Sequence, residues 1–168
     1  VPVALEELLA AADVRVVVIA SAIDGYFSTG ADLTTFQGMS QEDIGSWVRI
    51  CHALVRQMRA ARKPLLAAIH GVAVGGGLEI VLHCDVRFAA QDAKLGQPEV
   101  NIGFIPPVGG TQALARLLGR PRALRLLYEG GLISAQEALD IGLVDLVVPA
   151  ADLRARVAEY ASALARKP

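Results

Sequence analysis

The stretch Leu65–Asp85 has the sequence LLAAIHGVAVGGGLEIVLHCD and contains both kinds of element that the fold is predicted to use. It begins after Lys63-Pro64 with an apolar run, Leu65–Ile69, which is typical of a strand buried on both faces. The glycines Gly75–Gly77 follow, and the segment Leu78–Asp85 then predicts a short buried helix. A buried strand followed closely by a buried helix indicates an α/β domain.

The rest of the chain continues this alternation of strands and helices. Further buried strands are predicted at Val14–Ala20, Val86–Ala89 and Leu146–Val148, because each is a run of β-branched and other apolar residues. Segment Ser21–Leu33 is predicted to be a turn-rich loop. Helical spacing of apolar residues and capping boxes at Ser40 and Ser134 predict the helices. These helices are Ala4–Ala12, Ser40–Ala61, Val108–Leu118, Arg122–Tyr128, Ser134–Ile141 and Leu153–Ala165. The alternation predicts mainly parallel strands.

Composition narrows the possible functions. The chain has 168 residues, a formal net charge of −1 and 54% hydrophobic residues, which suits a single domain with a sizeable core. The near-neutral charge and an aromatic content of 5% argue against binding to nucleic acid or to an anionic membrane surface. Cys51 and Cys84 make neither a disulfide framework nor a CxxC arrangement, and free thiols suit a reducing compartment such as the cytoplasm. No apolar run approaches the ~20 residues that a membrane span needs.

Two glutamates stand out because of the sequence around them. Glu79 is the only formally charged residue between positions 64 and 84, and Glu99 is the only one between positions 95 and 115. A glutamate is almost never fully buried unless it is paired or functional. Apolar surroundings should raise the pKa of each carboxyl, and acid–base chemistry near neutral pH needs such groups. The alternative is a structural position at the rim of the core, with the carboxyl in water.

The glycine run Gly75–Gly77 precedes a predicted helix, and glycines there let a ligand approach the backbone closely. Unshielded N–H groups at a helix start favour a negatively charged oxygen. The chain contains no GxxxxGK[ST] pattern, so a nucleotide-binding P-loop is disfavoured. A plain tight turn, or close packing of the helix on a strand, is the alternative explanation.

Four segments, in order along the chain, resemble the motifs of the enoyl-CoA hydratase/isomerase family, also called the crotonase family. They are Phe27–Leu33 (FSTGADL), Lys63–Glu79 (KP, AAIHG and GGGLE), Gly96–Gln112 (GQPE and GGTQ) and Ile133–Asp145 (ISAQEA and GLVD). The resemblance implies an α/β fold of the ClpP/crotonase type, which is a spiral of ββα units. Family members carry further strands before this region and further helices after it. Residues 1–168 are therefore expected to be the single-domain core of a longer chain.

The resemblance also implies a role for each matching residue. The backbone N–H groups of Ala31 and Gly76 would form an oxyanion hole for the thioester carbonyl of an acyl-CoA. Glu79 as base and Glu99 as acid would hold a water and add it across the C2–C3 double bond of a 2-enoyl-CoA. The implied contacts to the substrate and its CoA portion are Gly30, Ala31, Asp32, Leu33, Thr34, Gly75, Gly76 and Pro107.

The same resemblance implies the setting in which the protein works. No separate cofactor and no metal are implied, because CoA enters as part of the substrate. Enzymes of this kind act in fatty acid metabolism, including β-oxidation, and assemble as homotrimers or dimers of trimers. The expected location is the cytoplasm, and an organellar targeting peptide upstream of Val1 is the alternative.

One position departs from the family pattern and leaves alternatives open. Pro107 stands where many hydratases of the family have glycine, and proline has no N–H with which to hold a water. An isomerase or another acyl-CoA reaction of the family is therefore an alternative function, as is a non-catalytic acyl-CoA-binding or assembly subunit. We interpret Asp32 and Asp145 as structural, and His70 and His83 as structural or hydrogen-bonded rather than metal ligands.

Overall fold

The computed structural model describes residues 2–168, in which eight strands, seven α-helices and three short 3-10 helices are present. The 3-10 helices are Leu33–Phe36, Pro98–Ile102 and Ala150–Asp152. In chain order the other elements are α1 (Pro2–Ala10), β1 (Val17–Ala20), β2 (Tyr26–Ser28), α2 (Gln41–Arg59), β3 (Leu65–Ile69), β4 (Val72–Val74), α3 (Gly76–Val81), β5 (Val86–Ala90), β6 (Lys94–Gly96), α4 (Gly110–Leu118), α5 (Arg120–Glu129), β7 (Leu132–Ser134), α6 (Ala135–Asp140), β8 (Leu146–Val148) and α7 (Leu153–Ala165).

The first sheet has the strand order β1-β3-β5-β8, and all of its pairings are parallel. Its strands are those that the apolar runs of the sequence predict. Every residue of β3 is buried, since β3 lies between β1 and β5 and α7 packs across these three strands. The ring of Phe88 on β5 contacts Tyr160 of α7, with centroids 5.3 Å apart. The predicted α/β domain with mainly parallel strands is therefore confirmed.

The second sheet has the order β2-β4-β6-β7, and the sequence analysis does not predict it. Each of its strands is three residues long, which is too short for a periodic pattern to be recognised. Strand β2 lies inside the segment predicted to be a loop, and β4 follows β3 after only His70 and Gly71. Gly71 has φ +59°, and a side chain there would overlap the backbone of Gly25. This turn between the two sheets therefore requires glycine.

Several element ends differ from the predicted ones by a few residues. Helix α1 begins and ends two residues before the predicted positions, and α5 is longer than predicted at both ends. Helix α3 begins at Gly76 and ends at Val81, so the last part of the predicted helix 78–85 is a turn. Helix α4 begins at Gly110 rather than Val108, because Gly109 has φ +102° and cannot belong to a right-handed helix. Strand β1 begins later than predicted, at Val17.

The two predicted capping boxes are confirmed and set where their helices start. The hydroxyl of Ser40 accepts a hydrogen bond from the N–H of Asp43 at 3.1 Å, so α2 begins one residue after Ser40. The hydroxyl of Ser134 accepts from the N–H of Glu137 at 3.1 Å, so α6 begins one residue after Ser134. No helix within residues 2–168 is long and apolar enough to span a bilayer.

The second sheet brings three loops to one edge. Strands β2, β4 and β6 are parallel neighbours, so their carboxyl ends, at Ser28, Val74 and Gly96, lie side by side. The loops that leave these ends carry Ala31, Gly75 with Gly76, and Glu99. In open α/β sheets, ligands bind outside the carboxyl ends of the strands.

Candidate active site

A cleft of about 550 Å³ opens where these three loops meet. All of the predicted site residues except Thr34 line it: Gly30, Ala31, Asp32, Leu33, Gly75, Gly76, Glu79, Glu99 and Pro107. Thr34 lies outside the cleft lining in the described chain, because both its amide N–H and its hydroxyl donate to the carboxylate of Asp32, at 2.9 and 2.7 Å. These bonds hold the Asp32 carboxylate locally and lower its pKa, and its contact with CoA stays a prediction.

Two backbone donors lie close together in the cleft lining. A Cβ added to Gly30 would lie only 2.7 Å from the nitrogen of Gly76, and one added to Gly76 would lie 3.9 Å from the nitrogen of Ala31. The two loops can approach this closely because neither glycine has a side chain. Within residues 2–168, neither the Ala31 N–H nor the Gly76 N–H has a hydrogen-bond partner. The backbone at Ala31 and the backbone at Gly76 thus lie close together in the cleft lining, and neither N–H bonds to a described residue.

Glu79 lies in the first turn of α3 and is fully buried. Its Oε1 atom accepts hydrogen bonds from the N–H groups of Val108, at 2.8 Å, and Gly110, at 2.7 Å. Its Oε2 atom has no partner among the described residues. Burial raises the pKa of Glu79 to about 7, with a further increase from the charge of Glu99, while the two N–H donors lower it.

The backbone before α4 is shaped to hold the carboxyl of Glu79. A Cβ at Gly110 would lie 3.0 Å from Oε1, so a larger residue would displace the carboxyl. Gly109 has φ +102°, which turns the chain so that the N–H groups on both sides of it reach the same oxygen. Val108 and Gly110 were not identified from the sequence as partners of Glu79. The glycine pair 109–110 was the only feature of the sequence that pointed to a close approach of another group to this part of the backbone.

Glu99 lies in the 3-10 helix Pro98–Ile102 and is 8% exposed. Its Oε1 atom accepts a hydrogen bond from the side-chain amide of Gln97 at 2.8 Å, and its Oε2 atom has no partner among the described residues. Burial raises the pKa of Glu99, while its own backbone N–H and Gln97 lower it. Gly75 leaves room for this carboxyl, because a Cβ there would lie 3.2 Å from Oε1. The prediction that both glutamates are buried is confirmed, and burial raises the pKa of each.

An aromatic cluster forms another wall of the cleft. The rings of Phe36 and Trp47 meet edge to face with centroids 5.1 Å apart, and Phe104 lies 6.1 Å from Phe36. The side chain of Ile102 also lines this part of the cleft. This cluster is not predicted from the sequence, because Phe36, Trp47 and Phe104 come from separate parts of the chain.

The remaining polar residues singled out in the sequence have structural contacts. Asp145 pairs with Arg87 at 2.9 Å and also accepts from the Arg87 backbone N–H, which confirms its structural interpretation. The Nε2 atom of His70 lies 2.9 Å from the carbonyl of Ile23, and burial lowers the pKa of His83. Among residues 2–168, no group of three or more His, Cys, Asp or Glu side chains is arranged to hold a metal ion.

A family model described as enoyl-CoA hydratase/isomerase matches residues 2–168. The chain belongs to this family. It is 46% identical to a probable enoyl-CoA hydratase of Bacillus subtilis over 84% of its own length and 54% of the relative. It is 40% identical to a crotonyl-CoA hydratase of Syntrophomonas wolfei over 92% of its own length and 59% of the relative.

The fold agrees with solved structures of the family. The crystal structure of an enoyl-CoA hydratase from Bacillus anthracis superposes with a TM-score of 0.94 at 40% sequence identity, covering 98% of this chain and 64% of that one. The predicted crotonase-like fold is therefore confirmed. The chain spans between about half and two thirds of the length of these three relatives.

Proposed function

We propose that the protein containing this chain is an enoyl-CoA hydratase, which adds water across the C2–C3 double bond of a 2-enoyl-CoA thioester. One observation carries the proposal. Two buried carboxyl groups, Glu79 and Glu99, each have one oxygen held and one oxygen unpartnered, and both line the cleft that contains the free N–H groups of Ala31 and Gly76. The similarity to proteins named as hydratases supports it.

The two N–H groups would bind the thioester carbonyl oxygen. When water adds to C3, negative charge develops on this oxygen as an enolate forms. Preorganised donors stabilise such charge more than they stabilise the neutral carbonyl, and one well-placed donor contributes roughly 3 kcal/mol. The close approach of Gly30 and Gly76 supports this role, because it brings the two loops together without a bound substrate.

The glutamates would supply and remove the protons. Glu79, with a pKa of about 7, is partly ionised at neutral pH and can take a proton from the water whose oxygen bonds to C3. In the state that reacts, Glu99, whose pKa is raised by burial, would carry a proton while Glu79 is ionised, and Glu99 would deliver that proton to C2. The proton taken up by Glu79 would then pass to Glu99, which restores both carboxyls. The C2–C3 double bond becomes a single bond, and one water is consumed. The unpartnered Oε2 atoms are the positions at which a water would be held between the two carboxyls.

Pro107 does not remove the support of the base. It lines the cleft and has no N–H, but Glu79 is held instead by the N–H groups of Val108 and Gly110. The missing N–H at position 107 therefore removes no hydrogen bond from the base, and the water would be held by the two carboxyls alone. The remainder of the predicted substrate contacts would bind the CoA portion, whose binding energy positions the reacting carbons.

Hydration is tested with crotonyl-CoA and the whole purified protein. The enoyl-thioester absorbance should fall with time, and Glu79→Gln and Glu99→Gln should each slow this by at least about 100-fold, the scale of acid–base catalysis. Glu129→Gln is the matched control, because Glu129 is exposed and pairs only with Arg125 on its own helix. Turnover of this variant should be unchanged.

The same assay separates the alternatives. No turnover with enoyl-CoA esters of any chain length would refute hydration. Conversion of 3-enoyl-CoA to 2-enoyl-CoA, with no water added to the substrate, would identify an isomerase. Acyl-CoA binding without any turnover, unchanged in the double variant Glu79→Gln with Glu99→Gln, would identify a binding subunit.

We also propose that the protein assembles as a homotrimer or a dimer of trimers. The mass of the whole protein, measured by light scattering, tests this assembly. The cytoplasmic location stays a prediction.

A further inference from the structure

His52 connects helix α2 to the loop in front of α4. Its Nε2 atom lies 2.7 Å from the carbonyl oxygen of Pro107. A carbonyl oxygen only accepts hydrogen bonds, so the imidazole N–H at Nε2 is the donor. This contact joins two elements that are distant in the sequence, and it fixes the peptide group between residues 107 and 108.

The same peptide group makes a second hydrogen bond at its other end. The carbonyl of Pro107 and the N–H of Val108 belong to one planar unit, and this N–H donates to Oε1 of Glu79 at 2.8 Å. A hydrogen bond to the carbonyl polarises the unit and strengthens the bond that its N–H donates by about 10–30%. A single peptide group therefore links the imidazole of His52 to the carboxyl of Glu79.

The other donor to Glu79 has a different support. The N–H of Gly110 donates to the same oxygen at 2.7 Å, and the carbonyl of its peptide, which belongs to Gly109, accepts from the N–H of Ala113 at 2.8 Å. That support is a backbone bond at the start of α4, which any residue except proline at position 113 would make. The Val108 N–H, in contrast, belongs to a peptide whose carbonyl is bonded by the side chain of His52.

His83 lies near the same loop but is not linked to Glu79 in this way. Its Nε2 atom is 3.4 Å from the carbonyl of Val108. The N–H of that peptide belongs to Gly109, which is not a donor to Glu79. A contact of this length is also much weaker than the one made by His52.

We infer that His52 is a positioning residue for Glu79, which it holds through the Pro107–Val108 peptide group. Pro107 contributes to this arrangement, because its ring fixes φ and leaves the peptide fewer alternative orientations. The effect of His52 on turnover rests on the proposed hydratase function. Its effect on the ionisation of Glu79 does not.

Removal of the imidazole should make Glu79 harder to ionise. Without the bond to Pro107, the Val108 N–H stabilises the carboxylate less, so the pKa of Glu79 should rise. The titratable groups that act on Glu79 from neighbouring elements are Glu99, whose charge raises its pKa, and Cys51, whose thiol pKa is raised by burial and by Glu79. Both groups are unchanged by a substitution at position 52.

The test compares His52→Ala, His52→Gln and His70→Gln in the whole protein. The Glu79 carboxyl is titrated by ¹³C NMR with labelled glutamate, and its signal is assigned by its loss in Glu79→Gln. His52→Ala should shift the Glu79 titration upward and lower kcat/KM for crotonyl-CoA at pH 6 about two- to fourfold, with recovery above pH 8. His52→Gln keeps a donor and should restore both quantities. His70→Gln removes a comparable histidine–carbonyl bond elsewhere and should change neither.

An unchanged Glu79 titration in His52→Ala would overturn the inference, as would an equal shift in His70→Gln. The NMR titration needs no turnover, so it decides the question even if hydration is refuted. If His52→Ala does not fold, His52→Phe supplies the second measurement, because it keeps a ring of similar size without the N–H donor. An unchanged Glu79 titration in His52→Phe would also overturn the inference.

Discussion

Replacement of Glu79 by glutamine should change how the stability of the protein depends on pH. Burial raises the pKa of Glu79 from 4.5 to about 7, and one pH unit corresponds to about 1.4 kcal/mol. The native state therefore keeps a proton on Glu79 over a range of pH in which the unfolded state has lost it. Under these conditions the free energy of unfolding falls as pH rises from about 4.5 to about 7. The size of the effect is about 3 kcal/mol.

Glutamine has nearly the same shape and cannot titrate, so Glu79→Gln removes this dependence. The free energy of unfolding of the variant minus that of the unaltered protein should therefore increase by about 3 kcal/mol between pH 4 and pH 8, because only the unaltered protein loses this stability as pH rises. Other titrating groups act equally in both proteins and largely cancel in the difference. This difference in the free energy of unfolding is measured by urea unfolding at fixed protein concentration. The fluorescence of the single tryptophan, Trp47, follows the transition.

Glu129→Gln is the control for a change of net charge, because Glu129 is exposed on α5. Its effect on the free energy of unfolding should vary by less than about 0.5 kcal/mol over the same range. A difference between Glu79→Gln and the unaltered protein that stays constant within about 1 kcal/mol would refute the reasoning. It would mean that the Glu79 carboxyl is hydrated or ionises normally in the folded protein.

Three further predictions concern the site and its supports. Gly77→Ala should destabilise the protein by at least about 2 kcal/mol in thermal unfolding, because the new Cβ would overlap the backbone of β2. Gly131→Ala is the control and should be nearly neutral, because the space around its Cβ is open. Glu99→Gln should lower the pKa of Glu79, because a neighbouring negative charge is lost, and NMR titration of the Glu79 carboxyl should show the shift. Trp47→Ala should enlarge the cleft, so kcat/KM should rise for longer enoyl chains relative to crotonyl-CoA; an unchanged ratio would place the acyl chain elsewhere.

The sequence predicts the first sheet well and the second sheet not at all. Strands such as Leu65–Ile69 are apolar throughout because helices cover the sheet, and this composition is visible without a structure. Strands such as Val72–Val74 are held by pairing to their neighbours, with lengths of only three residues. Their register depends on turns at glycines such as Gly71, which a local pattern does not reveal.

In the candidate site, too, some features can be predicted from the local sequence and others cannot. Isolation among apolar residues identifies Glu79 and Glu99, since a carboxyl in such a segment has few ways to be satisfied. The groups that satisfy them are harder to predict, because the N–H groups of Val108 and Gly110 reach Glu79 from a distant part of the chain. A backbone donor carries no mark in the sequence apart from the glycines that make room for it.

The sheet that the sequence does not predict is the one that builds the site. Three groups that follow the carboxyl ends of its strands line one cleft. The Ala31 N–H follows β2, the Gly76 N–H follows β4 and the Glu99 carboxyl follows β6. Short strands suffice for this purpose, because each of them places one residue in the shared apolar core, namely Phe27, Ala73, Leu95 and Ile133, and pairing with neighbours holds the three loops in register. The close contacts between those loops involve Gly30, Gly75 and Gly76, where a side chain would push the loops apart. The glycine motifs are thus the sequence signal of a site whose donors are mainly backbone N–H groups.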